Sequence, residues 1–383
     1  MDNVGFTSVP LSEVAEFTNG YSFGPADWGT SGLPIVRIQQ LLDPGAPADF
    51  FRGSLDRRYR IDTGDLVMSW SGTIAVVQWD GGPAWLNQHL FRVDAKAGVE
   101  AGFLKHLLDS RLGHLEAGSH GTTMKHIKRG DLLRHEVPLP PREQQRRIAE
   151  ILDTIDEAIR ATERAIAKHQ RIRQGLESDL LTATRHGSHH YVTLGELAEL
   201  NPEALATHTP PDYAFYYIDL SSVSRGLIDT DSLEFLRFSD APSRARRVVR
   251  DGDVLFGTVR PHLRSHARVR GDGYVASTGF CVTRAKPGLS DGGFLGHFLL
   301  SDEASRQATR YEVGSNYPAV AESDVAAIKV PGFPLEEQLR IAEVLDAAAD
   351  TIRVSEQERD KLRSLRVGVS ADLLSGTVRT VAA

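Results

Sequence analysis

The sequence of 383 residues contains one cysteine, Cys281, which excludes a disulfide framework and a cysteine-rich zinc site. It has no run of 18 apolar residues, so it encodes no candidate transmembrane helix. Residues 1–14 lack the basic start and apolar stretch of a secretory signal, and we therefore expect a cytoplasmic protein without a membrane partner. Basic residues are not in excess either, because the net charge is −7. Binding to nucleic acid would require locally concentrated positive charge.

Catalytic motifs are also missing. The sequence has no P-loop, no GxSxG or HExxH motif and no zinc-ligand spacing. Residues 208–213 approach the catalytic motif of an adenine methyltransferase but lack the amide or acid before the prolines, and residues 94–96 match only the tail of a nuclease motif. These absences favour a binding module over an enzyme, and we expect the chain itself to bind no metal or cofactor.

What the sequence does contain is an internal repeat. Residues 141–153 return as residues 334–346 without a gap, and residues 131–137 return as 324–330 at the same offset. Earlier matches drift in offset, as loop insertions within a shared fold would produce. The chain is therefore predicted to be two copies of one unit of about 190 residues, a size typical of one domain. Between the matches the two halves differ, which favours one scaffold with two different binding sites over simple drift.

Each repeat begins with a globular half. Short clusters of β-branched and aromatic residues, such as 66–70 and 254–256, lie between Gly/Asp turns. This pattern predicts a mixed, mostly antiparallel sheet. Short helices are predicted late in each half, at residues 102–112 and 293–301.

Each repeat ends in a long amphipathic helix, and the first begins after Pro140-Pro141, since proline is tolerated in a first helical turn. In the first helix a heptad pattern predicts one seam through Ile148, Ile155, Thr162, His169 and Leu176, a second through Ile151, Ala158, Ala165 and Ile172, and flanking Leu152, Ile159, Ile166 and Leu180. In the second helix it predicts Ile341, Ala348, Ser355, Leu362 and Val369, then Val344, Thr351 and Leu365, flanked by Leu345, Ile352 and Leu373. Such helices favour an intramolecular antiparallel pair, and an oligomerisation stalk is the alternative.

Positive charge is concentrated in two places. Residues 237–270 contain nine arginines and three acids, including Arg244, Arg246 and Arg247. A smaller basic run, residues 120–129, lies in the first half. Arginine suits both phosphate contacts and readout of guanine. A solvated charged face is the alternative, but local basicity on an acidic chain favours nucleic acid.

The repeated segments resemble a known family. Residues 137–153, with the sequence VPLPPREQQRRIAEILD, look like the start of a conserved region in the specificity subunit of type I restriction-modification systems, and residues 330–338 repeat this start with Gly332-Phe333 in place of the usual Leu-Pro. Residues 174–182 and 372–379 resemble the ends of those helices. Residues 69–74 with 86–91, and 252–261 with 276–280, look like two types of target recognition domain from that family. The resemblance covers essentially the whole chain.

The resemblance implies a non-catalytic, sequence-specific subunit that binds double-stranded DNA. Each globular half would read one half of a split target, and the helices would fix the spacer and dock two modification subunits. Those subunits would bring S-adenosylmethionine and methylate adenine N6. Restriction subunits would join to cleave unmodified DNA with ATP and magnesium.

The expected fold class is α+β. Two similar α/β target recognition domains with mostly antiparallel sheets would be joined by two long antiparallel coiled-coil helices with pseudo-two-fold symmetry. The expected domains are recognition domain 1 (1–141), the first spacer helix (142–184), a linker (185–191), recognition domain 2 (192–334), the second spacer helix (335–376) and a tail (377–383). The linker contains His186, His189 and His190 without a partner cluster, so we do not interpret it as a metal site.

Side chains predicted to contact DNA lie in both halves. In the first half they are Ser71, Thr73, Gln88, His89, Lys125 and Lys128. In the second half they are Arg244, Arg246, Arg247, Arg260, Arg264, Ser277, Thr278, Asn316 and Tyr317. Hydrogen bonding at strand ends is the alternative role for Gln88, Ser277 and Thr278. For the whole chain, the competing hypotheses are a coiled-coil protein-interaction scaffold without DNA recognition, and an enzyme with degenerate motifs.

Overall fold

The computed structural model of the chain describes residues 5–117, 126–181, 190–312 and 318–378, and all side chains in these ranges except those of residues 114–117. The chain divides into two compact units. Unit 1 comprises Met1–Glu163 and Gln357–Ala383, and unit 2 comprises Arg164–Glu356. Each unit therefore combines a globular part with segments of both long helices.

The strands of unit 1 are β1 (Thr7–Pro10), β2 (Ala15–Asn19), β3 (Leu33–Val36), β4 (Phe50–Phe51), β5 (Arg60–Ile61), β6 (Leu66–Ser69), β7 (Val76–Gln78), β8 (Ala84–Leu86), β9 (Leu90–Ala95) and β10 (Glu136–Leu139). The strands of unit 2 are β11 (Tyr191–Thr193), β12 (Ala198–Leu200), β13 (Ala214–Ile218), β14 (Val223–Ser224), β15 (Leu227–Ile228), β16 (Glu234–Arg237), β17 (Ala245–Val249), β18 (Val254–Gly257), β19 (His266–Arg268), β20 (Tyr274–Ser277), β21 (Phe280–Ala285) and β22 (Lys329–Pro331).

The helices are α1 (Leu11–Val14), α2 (Ile38–Leu42), α3 (Ala101–Ala117), α4 (Arg129–Arg134), α5 (Arg142–Leu180), α6 (Leu194–Leu197), α7 (Gly292–Leu300), α8 (Asp302–Thr309), α9 (Glu322–Ala326) and α10 (Leu335–Ser375). The long helices α5 and α10 contain 39 and 41 residues. Their bounds lie within the predicted spacer segments 142–184 and 335–376. Residues 182–189, which include most of the predicted linker, and the tail from residue 379 onward lie outside the described residues.

The two globular parts have the same sheet topology. In unit 1 the sheets have the strand orders β2-β9-β6-β7 and β4-β3-β8-β5, and in unit 2 the orders β12-β21-β18-β19 and β16-β13-β20-β17. Pairing is antiparallel except for β3 with β8 and β13 with β20, which are parallel. The pairs β1-β10 and β11-β22 complete the correspondence. This confirms two similar, mostly antiparallel α/β domains in one α+β chain.

Each unit has a core that joins its globular part to the long helices. In unit 1, Phe103 and Leu107 of α3 are buried together with Ile148 and Leu152 of α5 and with Leu373 of α10. In unit 2, the corresponding core contains residues of α7, α10 and the end of α5. Burying these apolar side chains is the main favourable term that fixes each globular part to its helices.

The second predicted seam is wrong in the second helix, and in the first helix only its Ala158 and Ala165 are half-buried. Ile151 and Ile172 are 39% and 48% exposed, and Val344 and Leu365 are 44% and 52% exposed. The buried or half-buried line runs instead through the first seam and the residues predicted to flank it, such as Leu152, Ile166, Leu345 and Ile352. Both lines repeat every seven residues, and apolar residues occupy both. The sequence pattern therefore could not distinguish them, and the packing partners decide.

Within unit 1 the two long helices run antiparallel. Arg363 of α10 pairs with Glu163 of α5 at 2.6 Å, and Arg366 pairs with Asp156 at 3.1 Å. Residues with higher numbers in α10 therefore contact residues with lower numbers in α5. Leu373 fits this antiparallel order, because it packs in the same core as Ile148. No helix in the described part of the chain is long and apolar enough to cross a membrane.

Candidate nucleic-acid interface

Three of the predicted side chains of unit 1 meet where the loop after β6 touches the turn between β8 and β9. The indole of Trp70 donates to the carbonyl oxygen of Gln88 at 3.1 Å. The hydroxyl of Ser71 lies 3.1 Å from Nδ1 of His89. The buried amide oxygen of Asn87 accepts from the backbone N–H of His89 at 3.2 Å. This network fixes the turn and leaves Gln88 and His89 partly exposed.

His126 joins this cluster, although the sequence reasoning did not select it. Its ring centre lies 5.9 Å from that of Trp70, and its backbone bridges to Ser71. The basic run in which it lies was the signal that could have identified it. Lys128, two residues later, is exposed, and Lys125 lies outside the described residues.

The two predicted side chains on the loop after β6, Ser71 and Thr73, differ in exposure. Ser71 is buried, at 4% exposure. Thr73 is exposed, and its carbonyl accepts the hydroxyl of Ser69 at 2.6 Å. Among the predicted side chains of this loop and turn, those that reach the surface are therefore Thr73, Gln88 and His89. A glutamine amide can donate to and accept from adenine in the major groove, and a histidine ring can contact a base edge or phosphate.

Unit 2 builds the same junction from different residues. The backbone N–H of Thr258, after β18, donates to the carbonyl of Gly279 at 2.9 Å, as Trp70 N–H donates to His89 at 3.3 Å in unit 1. The N–H of Val320 donates to the carbonyl of Thr258 at 3.0 Å, as the N–H of Ile127 donates to the carbonyl of Trp70 at 3.0 Å in unit 1. The scaffold at this junction is thus preserved, while the side chains it displays have changed.

Ser277 belongs to this scaffold. It is 3% exposed, and its hydroxyl accepts the backbone N–H of Gly279 at 3.2 Å. This is the role that Asn87 has in unit 1. The geometry matches the strand-end alternative for Ser277, and we leave it out of the proposed contact surface. Thr278, the next residue, is exposed.

Arg260 and Arg264 flank a strained turn. Both have left-handed backbones, with φ of 50° and 55°, on either side of a 3₁₀ turn, Pro261–Leu263. Such conformations cost about 1–2 kcal/mol for a residue with a side chain, and they concentrate at functional sites. The N–H of Arg260 donates to the carbonyl of Pro318 at 2.7 Å, which anchors the turn. His262 and Leu263 are exposed at its tip.

The arginines at the start of β17 differ in accessibility. Arg244 is exposed, and its carbonyl accepts the N–H of Thr278 at 2.9 Å, which places it beside the junction. Arg246 stacks on Phe238 at 4.9 Å and donates to the carbonyl of Ala245. Arg247 is half-buried, and its Nε is buried without a hydrogen-bond partner among the described residues. Arg244 is therefore the member of this group best placed for DNA.

A cleft beside the turn adds basic residues that the sequence reasoning missed. Arg264, Asp302, Ser305, Arg306, Thr309 and Arg310 line it. Arg264 pairs with Asp302, and Arg306 pairs with Glu303 at 2.7 Å. Arg310 has no ion pair in the described ranges. The i, i+4 spacing of Arg306 and Arg310 puts both on one side of α8 and its C-terminal end, which was the available signal. Asn316 and Tyr317 lie outside the described residues.

His266, the first residue of β19, is buried just after the Arg260–Arg264 turn. It is 1% exposed, stacks on Phe256 with ring centres 3.9 Å apart, and accepts the N–H of Gly257 at 2.9 Å. Burial, assisted by the charge of Arg264, lowers the pKa of His266 to about 4. The ring is therefore neutral at pH 7 and acts as a fixed hydrogen-bond acceptor.

One group with the atoms of a metal site occurs among the described residues, formed by His106, Asp153 and Asp156. Lys105 Nζ lies 3.6 and 3.7 Å from the two carboxylates, and Arg366 lies 3.1 Å from Asp156. These cations already neutralise the acids, so the donor set does not fit a metal ion. Asp153 and Asp156 belong to α5, and His106 belongs to α3.

Comparison with known proteins yields a family and a fold. A family model described as the type I restriction modification DNA specificity domain matches residues 3–169 and 249–364, more than half of the chain. The specificity subunit of the type I restriction enzyme MjaVIII of Methanocaldococcus jannaschii is 21% identical over 90% of this chain and 86% of its own length. The EcoBI specificity subunit of Escherichia coli is 26% identical, but the match covers 47% of this chain and 38% of that subunit.

Solved structures show the same fold. The type I restriction-modification system S subunit from M. genitalium superposes with a TM-score of 0.64 at 16% identity, covering 98% of this chain and 97% of that one. A chain from a structure reported for complex assembly and conformational transition of the type I R-M system superposes with a TM-score of 0.58 at 20% identity, covering 97% of each chain.

Proposed function

Because this chain belongs to the family of type I restriction modification DNA specificity domains, we propose that it is a specificity subunit in which each unit reads one half of a bipartite DNA target. The long helices would set the spacer between the half-sites and dock modification subunits that methylate adenine N6. The finding that supports this most directly is one scaffold displaying two sets of side chains.

The two sets differ in chemistry. Unit 1 displays Gln88 and His89 beside Trp70, while unit 2 displays Arg244, Thr278 and the Arg260 turn on the equivalent junction. Gln pairs preferentially with adenine and Arg with guanine in the major groove. Two halves with these displays would read two different sequences, as an asymmetric split target requires.

The positive charge of unit 2 gives a second reason. Four arginines lie on or next to one turn, namely Arg260, Arg264, Arg306 and Arg310. They outnumber the acids there, although Asp302 pairs with Arg264 and Glu303 pairs with Arg306, while the chain as a whole is acidic. Concentrated arginine attracts the phosphate backbone and aligns the protein on the duplex before bases are read. A protein-interaction scaffold would need neither this concentration nor the backbone strain at Arg260 and Arg264.

Catalysis would reside on partner subunits. In this proposal two modification subunits carry S-adenosylmethionine, and restriction subunits, where they join, carry ATP and magnesium. This chain would contribute target choice and geometry, and its own residues would take no part in methyl transfer.

Long-read sequencing that detects N6-methyladenine tests the proposal. Genomes of cells that express the modification subunit with and without this chain would be compared. The expected result is a split motif methylated in both halves that disappears when the chain is deleted. Identical methylomes, obtained with a modification subunit shown to co-purify with this chain, would contradict the proposed function.

A further inference from the structure

The globular part of each unit is fixed to the start of a long helix by the same contacts. The first uses a buried glutamine. Gln145 of α5 accepts the N–H of Glu100 at 2.9 Å and donates to the carbonyl of Pro140 at 2.8 Å. Gln338 of α10 accepts the N–H of Asp291 at 3.0 Å and donates to the carbonyl of Phe333 at 2.9 Å.

The second contact is a close approach of two helices. A Cβ atom on Gly102 of α3 would lie 3.1 Å from the Cβ of Ala149, and one on Gly293 of α7 would lie 3.0 Å from the Cβ of Ala342. Glycine at these positions lets the globular helix lie directly on the long helix.

The third contact is a histidine–aspartate pair whose histidine is buried and whose aspartate is partly exposed, with the side chains of Asp153 and Asp346 52% and 36% exposed. Nε2 of His106 lies 3.0 Å from Oδ1 of Asp153, and Nε2 of His297 lies 2.9 Å from Oδ1 of Asp346. The His106 side chain is fully buried and that of His297 is 9% exposed. In both rings Nδ1 is buried without a hydrogen-bond partner among the described residues. Burial lowers the pKa of both rings, so each donates from Nε2 as a neutral imidazole.

Other charged groups face these pairs, and they differ between the units. In unit 1, Lys105, Asp156 and Arg366 surround His106 and Asp153. In unit 2, Arg268 and Arg270 approach Asp346 at 3.1 and 3.9 Å, and Arg173 and Glu177 lie near His297. Ala349 stands at the repeat position of Asp156. The surroundings have diverged, but the histidine and the aspartate have not.

In both units a hydrogen bond between a buried histidine and a partly exposed aspartate supplements the apolar packing between the two helices. Apolar packing is non-directional, and an apolar pair of the same size often stabilises a fold as well as an ionic one. A hydrogen bond has a fixed length and angle, so it defines one rotational and sliding position of the globular helix. The pairs therefore add geometric definition that the surrounding Phe, Leu and Ile side chains do not supply.

We propose that His106–Asp153 and His297–Asp346 are positioning pairs that set the orientation of each recognition domain on its long helix and thereby restrict the spacer length between the half-sites. This inference rests on the proposed function. In each unit the side chains proposed to contact bases belong to the globular domain that the histidine–aspartate pair fixes to the long helix. A domain free to shift on the helix would accept half-sites at altered separations.

The test uses the purified complex of this chain with its modification subunit. Methyl transfer would be measured on DNA duplexes with the cognate spacer, with a spacer one base pair shorter, and with one that is one base pair longer. A second set of duplexes would carry single base changes within each half-site. The variants are His297→Leu, which removes the donor, and His297→Gln, whose amide restores a donor at the Nε2 position. His208→Leu, in an exposed loop of the same unit, is the matched control.

The expected result for His297→Leu is that the preference for the cognate spacer falls about tenfold, the factor that loss of one hydrogen bond to a charged group represents. The base preference within each half-site stays unchanged, His297→Gln recovers most of the spacer preference, and His208→Leu matches the wild type. An unchanged spacer preference in His297→Leu, or an equal loss of activity on every duplex, overturns the inference.

If His297→Leu does not fold, Asp346→Ala carries the same comparison, because it removes the acceptor of the same hydrogen bond. A folded Asp346→Ala complex with the wild-type spacer preference overturns the inference, and a reduced preference supports it. Failure of the proposed function is separate, because the wild-type complex would then show no preference for any split target.

Discussion

Trp70 donates its indole N–H to the carbonyl of Gln88 across 3.1 Å, and this bond joins the loop after one strand to the turn that displays Gln88 and His89. In unit 2 the hydroxyl of Thr258 joins the equivalent loop and turn one residue further along, by donating to the carbonyl of Gly279 at 2.9 Å. The junction is thus closed by a side chain in both units, and what it displays is free to differ.

Replacing Trp70 by phenylalanine should loosen the first junction. Phe keeps the apolar contact with Phe91, whose ring centre is 6.0 Å away, but leaves the Gln88 carbonyl without its donor. We expect the free energy of unfolding to fall by about 1 kcal/mol in urea denaturation. Base discrimination should weaken in one half of the methylated motif only. Trp28→Phe, at a half-exposed site in the same unit, is the control and should change neither quantity.

Arg260→Ala tests whether the strained turn reads a base. If the guanidinium contacts a guanine edge, the substitution should cost about 1–3 kcal/mol in binding to the cognate target and relax one position of one half-site. Arg260→Lys keeps the charge but cannot form the bidentate contact, so it should also relax that position. Competition binding with single-base variants of the target makes the measurement. An equal loss on all sequences would identify Arg260 as a phosphate contact and contradict the prediction.

Arg310 and Arg306 should contribute to affinity without contributing to sequence choice. The binding constant K falls as salt rises, and each phosphate contact that is removed makes the slope of log K against log salt concentration less steep by about one. We expect Arg310→Ala to show this change with the same methylated motif. Arg237→Ala removes one exposed arginine from β16, at the sheet edge opposite β17, and serves as the charge-matched control. Equal slopes for Arg310→Ala and Arg237→Ala would show that the cleft does not contact DNA.

Acid should destabilise unit 2 through His266. Its pKa in the folded protein is about 4, below its ordinary value of 6.5, because burial disfavours the charged ring. The unfolded chain therefore takes up the proton first, so the stability from this group is complete above pH 6.5 and is lost as the pH falls toward 4. At pH 5 the loss should be about 2 kcal/mol relative to pH 7.

His266→Asn isolates this contribution, since its amide oxygen can still accept from Gly257 while the side chain no longer titrates. The difference in free energy of unfolding between wild type and variant should shrink between pH 7 and pH 5. A difference that stays constant over that range would show that His266 does not titrate as described.

The close approach of α7 to α10 gives a stability prediction. Gly293→Ala would bring a Cβ atom to 3.0 Å from that of Ala342 and to 2.9 Å from Oδ1 of Asp291. Overpacking of this kind should cost about 1–3 kcal/mol. Gly113→Ala in α3 meets nothing within 4 Å and should stabilise by about 0.5–1 kcal/mol, because alanine favours helix. Thermal denaturation of both variants measures the contrast, and a stabilised Gly293→Ala would contradict the packing described.

The sequence was sufficient to predict the repeat, the long helices and the mixed sheets, because each has a local signal. Pro140-Pro141 and the recurring apolar positions predict where α5 begins and that one stripe is buried. The exact stripe was not predictable, because Ile151 and Leu152 are both apolar and only the neighbouring helices decide which is buried.

The site was predicted in composition more than in geometry. Arg244, Arg260 and Thr278 come together because two strands and two loops meet at one junction, and the strand clusters alone do not define that meeting. Ser277 looks like its exposed neighbour Thr278 in the sequence, yet its hydroxyl holds a backbone N–H. The hydrogen bond between His106 and Asp153 joins residues far apart in the chain, and no local sequence pattern predicts it.

A chimaera tests whether each unit reads its own half-site. Residues 192–334 would replace residues 1–141, so that both recognition domains come from the second repeat. The methylated motif of cells carrying this chimaera and the modification subunit would then be read by long-read sequencing. We expect a split motif in which both halves carry the half-site of unit 2. A motif that keeps the half-site of unit 1, in a chimaera shown to assemble with the modification subunit, would contradict it.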